Sequence, residues 1–126
     1  MAQDIFKKLR IKPGMRIAVL HAPDGYEKQL RHLPDGVECS TSARGAFDLV
    51  HTFVTQKQAI MVEAKSLAKA LKPGGILWVS YPKGKALATD LNRDVLREAL
   101  AGLGLEAVAN VAVDEVWSAL RFKRSE

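Results

Sequence analysis

Apolar residues in the first third of this chain recur with the spacing of one helix and then form a short buried run. Ile5, Phe6 and Leu9 share one helical face, and Pro13-Gly14 breaks that helix. The apolar run that follows is typical of a strand buried on both faces. The elements predicted here are a helix at 2–11, a strand at 16–20, about two helical turns at 26–33 and a weak strand at 37–41.

The middle of the chain predicts a strand, a helix and a second strand with short connections. The strands are residues 47–54 and 76–81, and the helix between them is residues 57–71. Lys72-Pro73-Gly74-Gly75 ends the helix, as proline and glycine commonly do. The inward stripe of this helix is Ile60, Ala64, Leu67, Ala68 and Leu71. Such a unit closes right-handed onto a parallel sheet.

The last third predicts a helix followed by a hairpin. Thr89 or Asp90 caps a helix that runs to about residue 102. Strands follow at 105–113 and 116–123, and only Asp114-Glu115 separates them, so they must be antiparallel. The residues expected to face inward from the helix are Leu91, Val95, Ala99 and Leu103.

The connection between the weak strand and the strand at Phe47 is too short for an ordinary parallel crossover, which needs roughly a dozen residues. Residues 37–41 therefore run antiparallel, or they form a short edge strand with an abrupt return. We predict a three-layer, Rossmann-like α/β sandwich with a shortened sheet. The predicted strand order is the weak strand, then the strands at 16–20, 47–54, 76–81, 116–123 and 105–113. The missing unit leaves an unprotected edge, so we expect a homodimer.

Composition narrows the class of protein. The 126 residues allow one domain, residues 1–126, and 48% of them are hydrophobic. No apolar run is long enough for a membrane span, and the start shows no secretory signal. With one cysteine, Cys39, we expect neither a disulfide nor a metal site, and we expect a cytoplasmic protein. His51 lies inside a strand, where we expect it to pack beneath a helix.

Two sequence blocks resemble known families. Phe47-Asp48-Leu49-Val50 and the block from Ala70 to Val79 resemble the middle of class I S-adenosylmethionine-dependent methyltransferases, whose fold also ends in an antiparallel hairpin. The similarity covers residues 45–82 in motif and the remainder in layout. A closer resemblance, to a family of short bacterial proteins of unknown function, spans nearly the whole chain and implies no activity. It rests on residues 77–83, 89–92 and 113–122.

The methyltransferase resemblance implies a methyl donor held by a glycine-rich loop after the first strand and by a carboxylate that ends the second. Here the loop is His21-Ala22-Pro23-Asp24-Gly25, with one glycine and with a proline that removes a backbone donor. The second strand ends at residues 39–42 without a carboxylate, because Glu38 comes too early. We therefore expect no cofactor, and S-adenosylmethionine is the one whose binding must be tested.

Ligands of open parallel sheets bind beyond the carboxyl ends of the strands. At this edge, Lys83 and the helix start at Thr89 or Asp90 would hold an anion. Asp24, Asp114 or Glu115 would hold a polar or cationic group. The alternative is structural: Lys83 pairs with Asp114 or Glu115, Asp90 caps its helix and Trp117 packs on the sheet. The candidate cleft consists of His21, Asp24, Tyr26, Thr55, Tyr81, Lys83, Thr89, Asp90, Asp114 and Glu115.

The net charge of +5 suggests a second surface. Basic residues precede the first strand and end the last one, so we expect them at the amino edge of the sheet, opposite the cleft. Such a rim could contact nucleic acid or an acidic protein, or could simply be solvated. The basic rim consists of Lys7, Lys8, Arg10, Lys12, Arg16, Arg121, Lys123 and Arg124, with Lys69 and Lys72 nearby.

Three functions remain open. The first is a non-catalytic methyltransferase-like module that binds a small ligand or a protein partner at the carboxyl edge. The second is a minimal S-adenosylmethionine-dependent methyltransferase that acts with another subunit. The third is a nucleic-acid-binding protein that uses the basic rim. We favour the first, and therefore expect no enzymatic activity.

Overall fold

A computed structural model describes residues 2–84 and 86–124 of the chain. Its helices are α1 (Ala2–Lys8), α2 (Tyr26–Leu30), α3 (Lys57–Lys69) and α4 (Arg93–Ala101). Its strands are β1 (Arg16–Leu20), β2 (Glu38–Ser40), β3 (Phe47–Phe53), β4 (Leu71–Pro82), β5 (Leu105–Ala112) and β6 (Trp117–Arg124). A short 3₁₀ turn, Ala86–Ala88, lies between β4 and α4. None of the helices described is long and apolar enough to cross a membrane.

The six strands form one sheet in the order β2-β1-β3-β4-β6-β5. The first four strands are parallel, and β6 is antiparallel to both of its neighbours. Helices α3 and α4 cover one face, called the first face, and α1 and α2 cover the opposite, second face. The three-layer sandwich and the strand order predicted from the sequence are both confirmed.

The short connection after β2 is explained by the shortness of β2 itself. Strand β2 has three residues and pairs parallel with β1, so the edge-strand alternative is correct. Residues 41–46 return the chain to the amino edge across the first face, where Ala43 packs against the core. Gly45 turns the chain with φ 110 beside the Arg16 guanidinium. The homodimer predicted from this edge stays a prediction.

Two apolar layers hold the helices to the sheet. On the first face, Ile60, Ala64 and Leu67 of α3 are buried. On the second face, the indole Nε1 of Trp78 donates a hydrogen bond to the carbonyl of Leu9, at 2.8 Å. This bond fixes the end of α1 on the middle of β4, because both partners are buried and have little access to water.

The predicted start of α4 is wrong. Asn92, not Thr89 or Asp90, caps this helix, and its side chain accepts a hydrogen bond from the Val95 amide at 2.8 Å. Asp90 instead accepts from the Lys57 amide at 2.8 Å, so it satisfies the start of α3. The inward face is confirmed in part and is broader than predicted. Leu91 is buried and Val95 and Leu103 pack against the core, as predicted, while the fully buried residues of α4 itself are Leu96 and Leu100.

Other boundaries also differ from the prediction. Helix α1 ends at Lys8 rather than at residue 11. Helix α2 ends at Leu30, so it is shorter than residues 26–33. Strand β4 begins at Leu71, which pairs with Phe47 ahead of a register shift, so Lys72-Pro73-Gly74-Gly75 lies within the strand as an irregularity. The hairpin turn spans residues 113–116 rather than two residues. Each difference lies at an element end, where local patterning is weakest.

His51 is completely buried on the second face, among the rings of Tyr26 and Phe53. Its Nε2 shares a hydrogen bond with Ser80 Oγ at 2.6 Å, and its Nδ1 has no partner among the described residues. Burial lowers the pKa of His51 from 6.5 to about 3. The imidazole is therefore neutral, and it packs against Tyr26 of α2, which confirms the predicted position beneath a helix.

The capping assignments predict separate effects on two helices. Asn92→Ala should lower the free energy of unfolding by about 1 kcal/mol and speed amide exchange in the first turn of α4. Asp90→Ala should instead speed exchange at the Lys57 amide. Hydrogen–deuterium exchange measured residue by residue distinguishes them. Faster exchange in α4 in the Asp90 variant would contradict the assignment.

The buried imidazole of His51 predicts acid sensitivity. Between pH 6.5 and about 3 the unfolded chain binds a proton at His51 that the folded protein does not. The free energy of unfolding should therefore fall as the pH falls, by about 1.4 kcal/mol per pH unit from this group. The free energy of unfolding, measured with urea at several pH values, should change less with pH in His51→Gln than in the native protein. The control His32→Gln should show the native dependence on pH. The same dependence on pH in all three proteins would refute the effect.

Candidate functional site

The crevice of this sheet lies between the carboxyl ends of β1 and β3. These strands are adjacent and parallel, yet the chain leaves β1 toward β2 on one side and leaves β3 toward β4 on the other. Connections that part in this way open a crevice at the switch point, which is where open α/β sheets bind ligands. His21 directly follows β1, and Thr55 lies just beyond β3.

A chain of three polar side chains bridges this crevice. Leu20 pairs with Thr52, which places the Thr52 side chain on the first face beneath α3. Thr52 Oγ1 donates a hydrogen bond to Glu63 Oε1 at 2.9 Å. The other carboxylate oxygen, Oε2, lies 3.1 Å from His21 Nε2. The side chain of Glu63 is 23% exposed and that of His21 is 62% exposed, so these hydrogen bonds lead from the core to solvent.

The hydrogen bond to Glu63 fixes which nitrogen of His21 carries the proton. A carboxylate can only accept hydrogen bonds, so Nε2 must be the donor to Glu63. In the neutral imidazole, Nδ1 then holds a lone pair. A histidine oriented by a carboxylate is the arrangement that accepts a proton or a hydrogen bond from a bound molecule. His21 also has φ 57, a conformation that few residues other than glycine adopt.

A strap, described at residues 83–84 and 86–90, crosses the same edge of the sheet. At one end, Lys83 donates from its amide to the Val116 carbonyl and from Nζ to the Asp114 carbonyl. At the other end, Thr89 Oγ1 donates to the carbonyl of Thr55. Asp90, which accepts from the Lys57 amide at the start of α3, completes this second attachment. The strap thus joins the hairpin turn to α3, and Leu87 and Ala88 within it both have positive φ.

Most of the predicted cleft residues carry structural contacts. Asp114 Oδ1 accepts from the amides of Val116 and Trp117, each at 2.8 Å, and so shapes the hairpin turn. The Tyr81 hydroxyl is buried and accepts from Asn110 Nδ2. Tyr26 is also buried, and burial raises its pKa far above the usual range, with smaller contributions from Cys39 and Asp114.

The predicted anion site, made of Lys83 and a helix start at Thr89 or Asp90, is not formed as predicted. No helix begins at Thr89 or Asp90, and the Lys83 ammonium contacts the Asp114 carbonyl rather than either carboxylate of the turn. Asp24 and Glu115 are exposed on the loops of this edge. His21 and Thr55 lie beside the crevice. Ligand binding by the predicted cleft residues stays a prediction.

Sequence reasoning missed Glu63 and Thr52. Glu63 lies three residues after Ile60 on α3, so it borders the buried stripe, and a carboxylate in that position was the available signal. Thr52 gave no signal, since it is one polar residue within a strand that is buried along its length.

Several residues of the predicted basic rim are engaged in the fold. The guanidinium of Arg16 lies 4.8 Å from the centre of the Phe47 ring. Arg124 donates to the carbonyls of Ala68, in the last turn of α3, and of Leu71, the first residue of β4. Lys123 lies 3.6 Å from Glu106. The others are distributed as follows: Lys7 beside a depression of about 340 Å³ next to α1, Lys8 and Lys12 exposed, and Arg10 and Arg121 on the second face.

The loop after β1 does not fit a methyl donor. Gly25, the one glycine of this loop, has φ 90 and so serves the turn into α2. The amides of Tyr26 and Lys28 already donate to the carbonyls of Pro23 and Gly25. They are therefore not free to cradle a carboxylate or a nucleotide.

The end of β2 does not fit a methyl donor either. Ser40 Oγ donates to the Ser42 carbonyl and accepts from the Ser42 amide, so this hydroxyl is used in a local turn. Glu38 stands at the amino end of β2, opposite Arg16. A carboxylate there lies about 6.7 Å short of the strand end. The acidic contact to ribose that the family resemblance implies is therefore missing.

Solved structures with the same fold include methyltransferases, some of them described as S-adenosylmethionine-dependent. An enzyme described by that activity from Aquifex aeolicus matches 96% of this chain and 88% of its own, with 10% identity and a TM-score of 0.68. One from Clostridium acetobutylicum matches 99% and 91%, with 9% identity and a TM-score of 0.64. A ribosomal protein L11 methylase from Lactobacillus delbrueckii matches 99% and 77%, with 14% identity and a TM-score of 0.63.

These similarities establish a methyltransferase-like fold. No protein-family model and no curated protein matches the chain. The closer resemblance to short bacterial proteins therefore stays a prediction.

The hydrogen bonds of Glu63 to Thr52 and His21 predict that replacing Glu63 changes the tautomer of His21. In Glu63→Gln, the amide oxygen can still accept from Thr52, so the amide nitrogen faces the imidazole and donates to Nε2. The proton should then move to Nδ1. Long-range ¹H–¹⁵N NMR spectra of the histidine rings distinguish the two tautomers. The exposed control Glu98→Gln should leave the Nε2–H form in place, and an unchanged tautomer in Glu63→Gln would contradict the geometry.

Proposed function

We propose that this protein is a methyltransferase-like module that does not transfer methyl groups and that binds a small polar ligand at its carboxyl edge. The ligand would donate a hydrogen bond to Nδ1 of His21. The observation that carries this proposal is the chain from Thr52 through Glu63 to His21, which orients a solvent-exposed acceptor at the switch point. A donor-rich or cationic molecule suits this site, because Asp24 and Glu115 add negative charge to the same edge.

The lack of methyl transfer is inferred from three features. The amides of Tyr26 and Lys28 donate to the carbonyls of Pro23 and Gly25. Strand β2 ends without a carboxylate. Glu63 bonds to both Thr52 and His21 across the crevice. A methyl donor seated there would have to displace Glu63 from Thr52 and His21. Breaking hydrogen bonds to a half-buried carboxylate costs roughly 1–3 kcal/mol.

A minimal methyltransferase is the second candidate. It is favoured by the similarity to S-adenosylmethionine-dependent enzymes over most of their length. In that case a second subunit would have to supply the contacts that this chain lacks.

Calorimetry with S-adenosylmethionine and with its demethylated product separates the two candidates. We expect no binding, or dissociation constants weaker than about 100 μM, for both compounds. Binding of either compound tighter than this would overturn the non-catalytic proposal in favour of the second candidate. A Glu63→Ala variant then shows whether the carboxylate obstructs the crevice, since it should bind the donor more tightly than the native chain.

Native mass spectrometry of freshly purified protein tests the ligand site directly. We expect an adduct on the native chain and a lower occupancy in His21→Ala, because loss of a hydrogen bond to an oriented imidazole weakens the affinity about tenfold. The matched control is His32→Ala, which removes an exposed histidine elsewhere. Equal occupancy in both variants, or no adduct on the native chain, would count against the proposal.

A further inference from the structure

Two arginines, Arg10 and Arg121, lie on the second face near Trp78. The hydrogen bond from Trp78 to the Leu9 carbonyl sets the end of α1 over β4, and Arg10 is the next residue. Arg121 lies directly opposite Trp78 in the β4–β6 ladder, so its side chain emerges on the same face. Two separate elements therefore place these residues on the same face, on either side of Trp78 in the contacts that position them.

Neither guanidinium has a carboxylate partner among the described side chains. Two other arginines near the sheet do have partners: the guanidinium of Arg16 stacks on the Phe47 ring, and that of Arg124 donates to the Leu71 carbonyl. Arg121 is half-buried, and burial together with the positive charge of Arg10 lowers its pKa. Two like charges at close range cost free energy unless an anion is present.

The backbone at Arg10 is strained in a way that glycine would relieve. Arg10 has φ 65, and the Ile11 amide donates to the Phe6 carbonyl, which is the pattern of a helix end that favours glycine at this position. A side chain there costs about 1 kcal/mol relative to glycine. Backbone strain of this kind is commonly found where the side chain serves a function.

The positive surface continues along β6. Lys123 is exposed and lies two residues beyond Arg121 on the same face, about 6.7 Å away. Its ion pair with Glu106 is exposed at both ends, at 62% and 55%, so it is easily exchanged for another anion. Beyond Lys123, a depression of about 530 Å³ opens at the amino edge between Lys72 and Arg124.

We propose that Arg10, Arg121 and Lys123 form a docking surface for the phosphate backbone of double-stranded nucleic acid. Guanidinium forks match phosphate oxygens in pairs. The two tryptophans are buried, so no indole on this surface can stack on unpaired bases. Contacts of this kind position a duplex without reading its sequence. This surface is separate from the His21 crevice, and its test is independent of the function proposed there.

Fluorescence anisotropy with labelled DNA and RNA duplexes over a series of salt concentrations tests the surface. The native chain should bind, with log K falling linearly with log salt. Arg10→Gln/Arg121→Gln should bind more weakly and reduce the slope by about two. The matched control, Arg93→Gln/Arg97→Gln, removes the same charge from α4 and should retain the native slope. Circular dichroism confirms that both double variants are folded.

Three results would overturn the proposal. The first is no binding of either duplex by the native chain at low salt. The second is an equal loss of slope in both double variants, which would mean that only the net charge matters. The third is preferential binding of polyglutamate over the duplexes, which would identify an acidic protein as the partner.

Discussion

Parallel pairing of β1 with β3 is the constraint on which the rest of this structure depends. It aligns Leu20 with Thr52, so that His21 leaves the sheet beside a hydroxyl buried beneath α3. A slip of one residue would turn Thr52 to the second face and leave Glu63 without its donor. The same pairing sends the two following connections to opposite sides, which creates the crevice. Register and crevice are therefore consequences of one set of backbone hydrogen bonds.

The methyltransferase-like fold and the chemistry of its crevice diverge in this chain. The sheet order and the terminal hairpin agree with S-adenosylmethionine-dependent enzymes. The groups at the crevice, however, bond to one another: Glu63 to Thr52 and His21, and the amides of α2 to their own loop. A scaffold can persist while its site changes, since apolar layers stabilise the fold and a few loop groups determine the chemistry.

The fold was largely predictable from the sequence because it rests on apolar periodicity. Buried runs such as Leu77–Val79 and the stripe of α3 predicted strands, helix and order. Helix starts were less predictable, since Asp90 resembles a cap by residue type but bonds to the amide of Lys57, which is 33 residues away. The site was predictable only in part: His21 follows from its position after β1, whereas Glu63 becomes a partner only once α3 is placed over Thr52.

The measurement that tests this account most directly is a crystal structure of the protein grown with saturating S-adenosylhomocysteine. The account predicts that Glu63 stays bonded to Thr52 and His21, and that no nucleoside density lies over Ala22–Gly25. Ordered S-adenosylhomocysteine in the crevice, with the Glu63 carboxylate displaced from both partners, would contradict it.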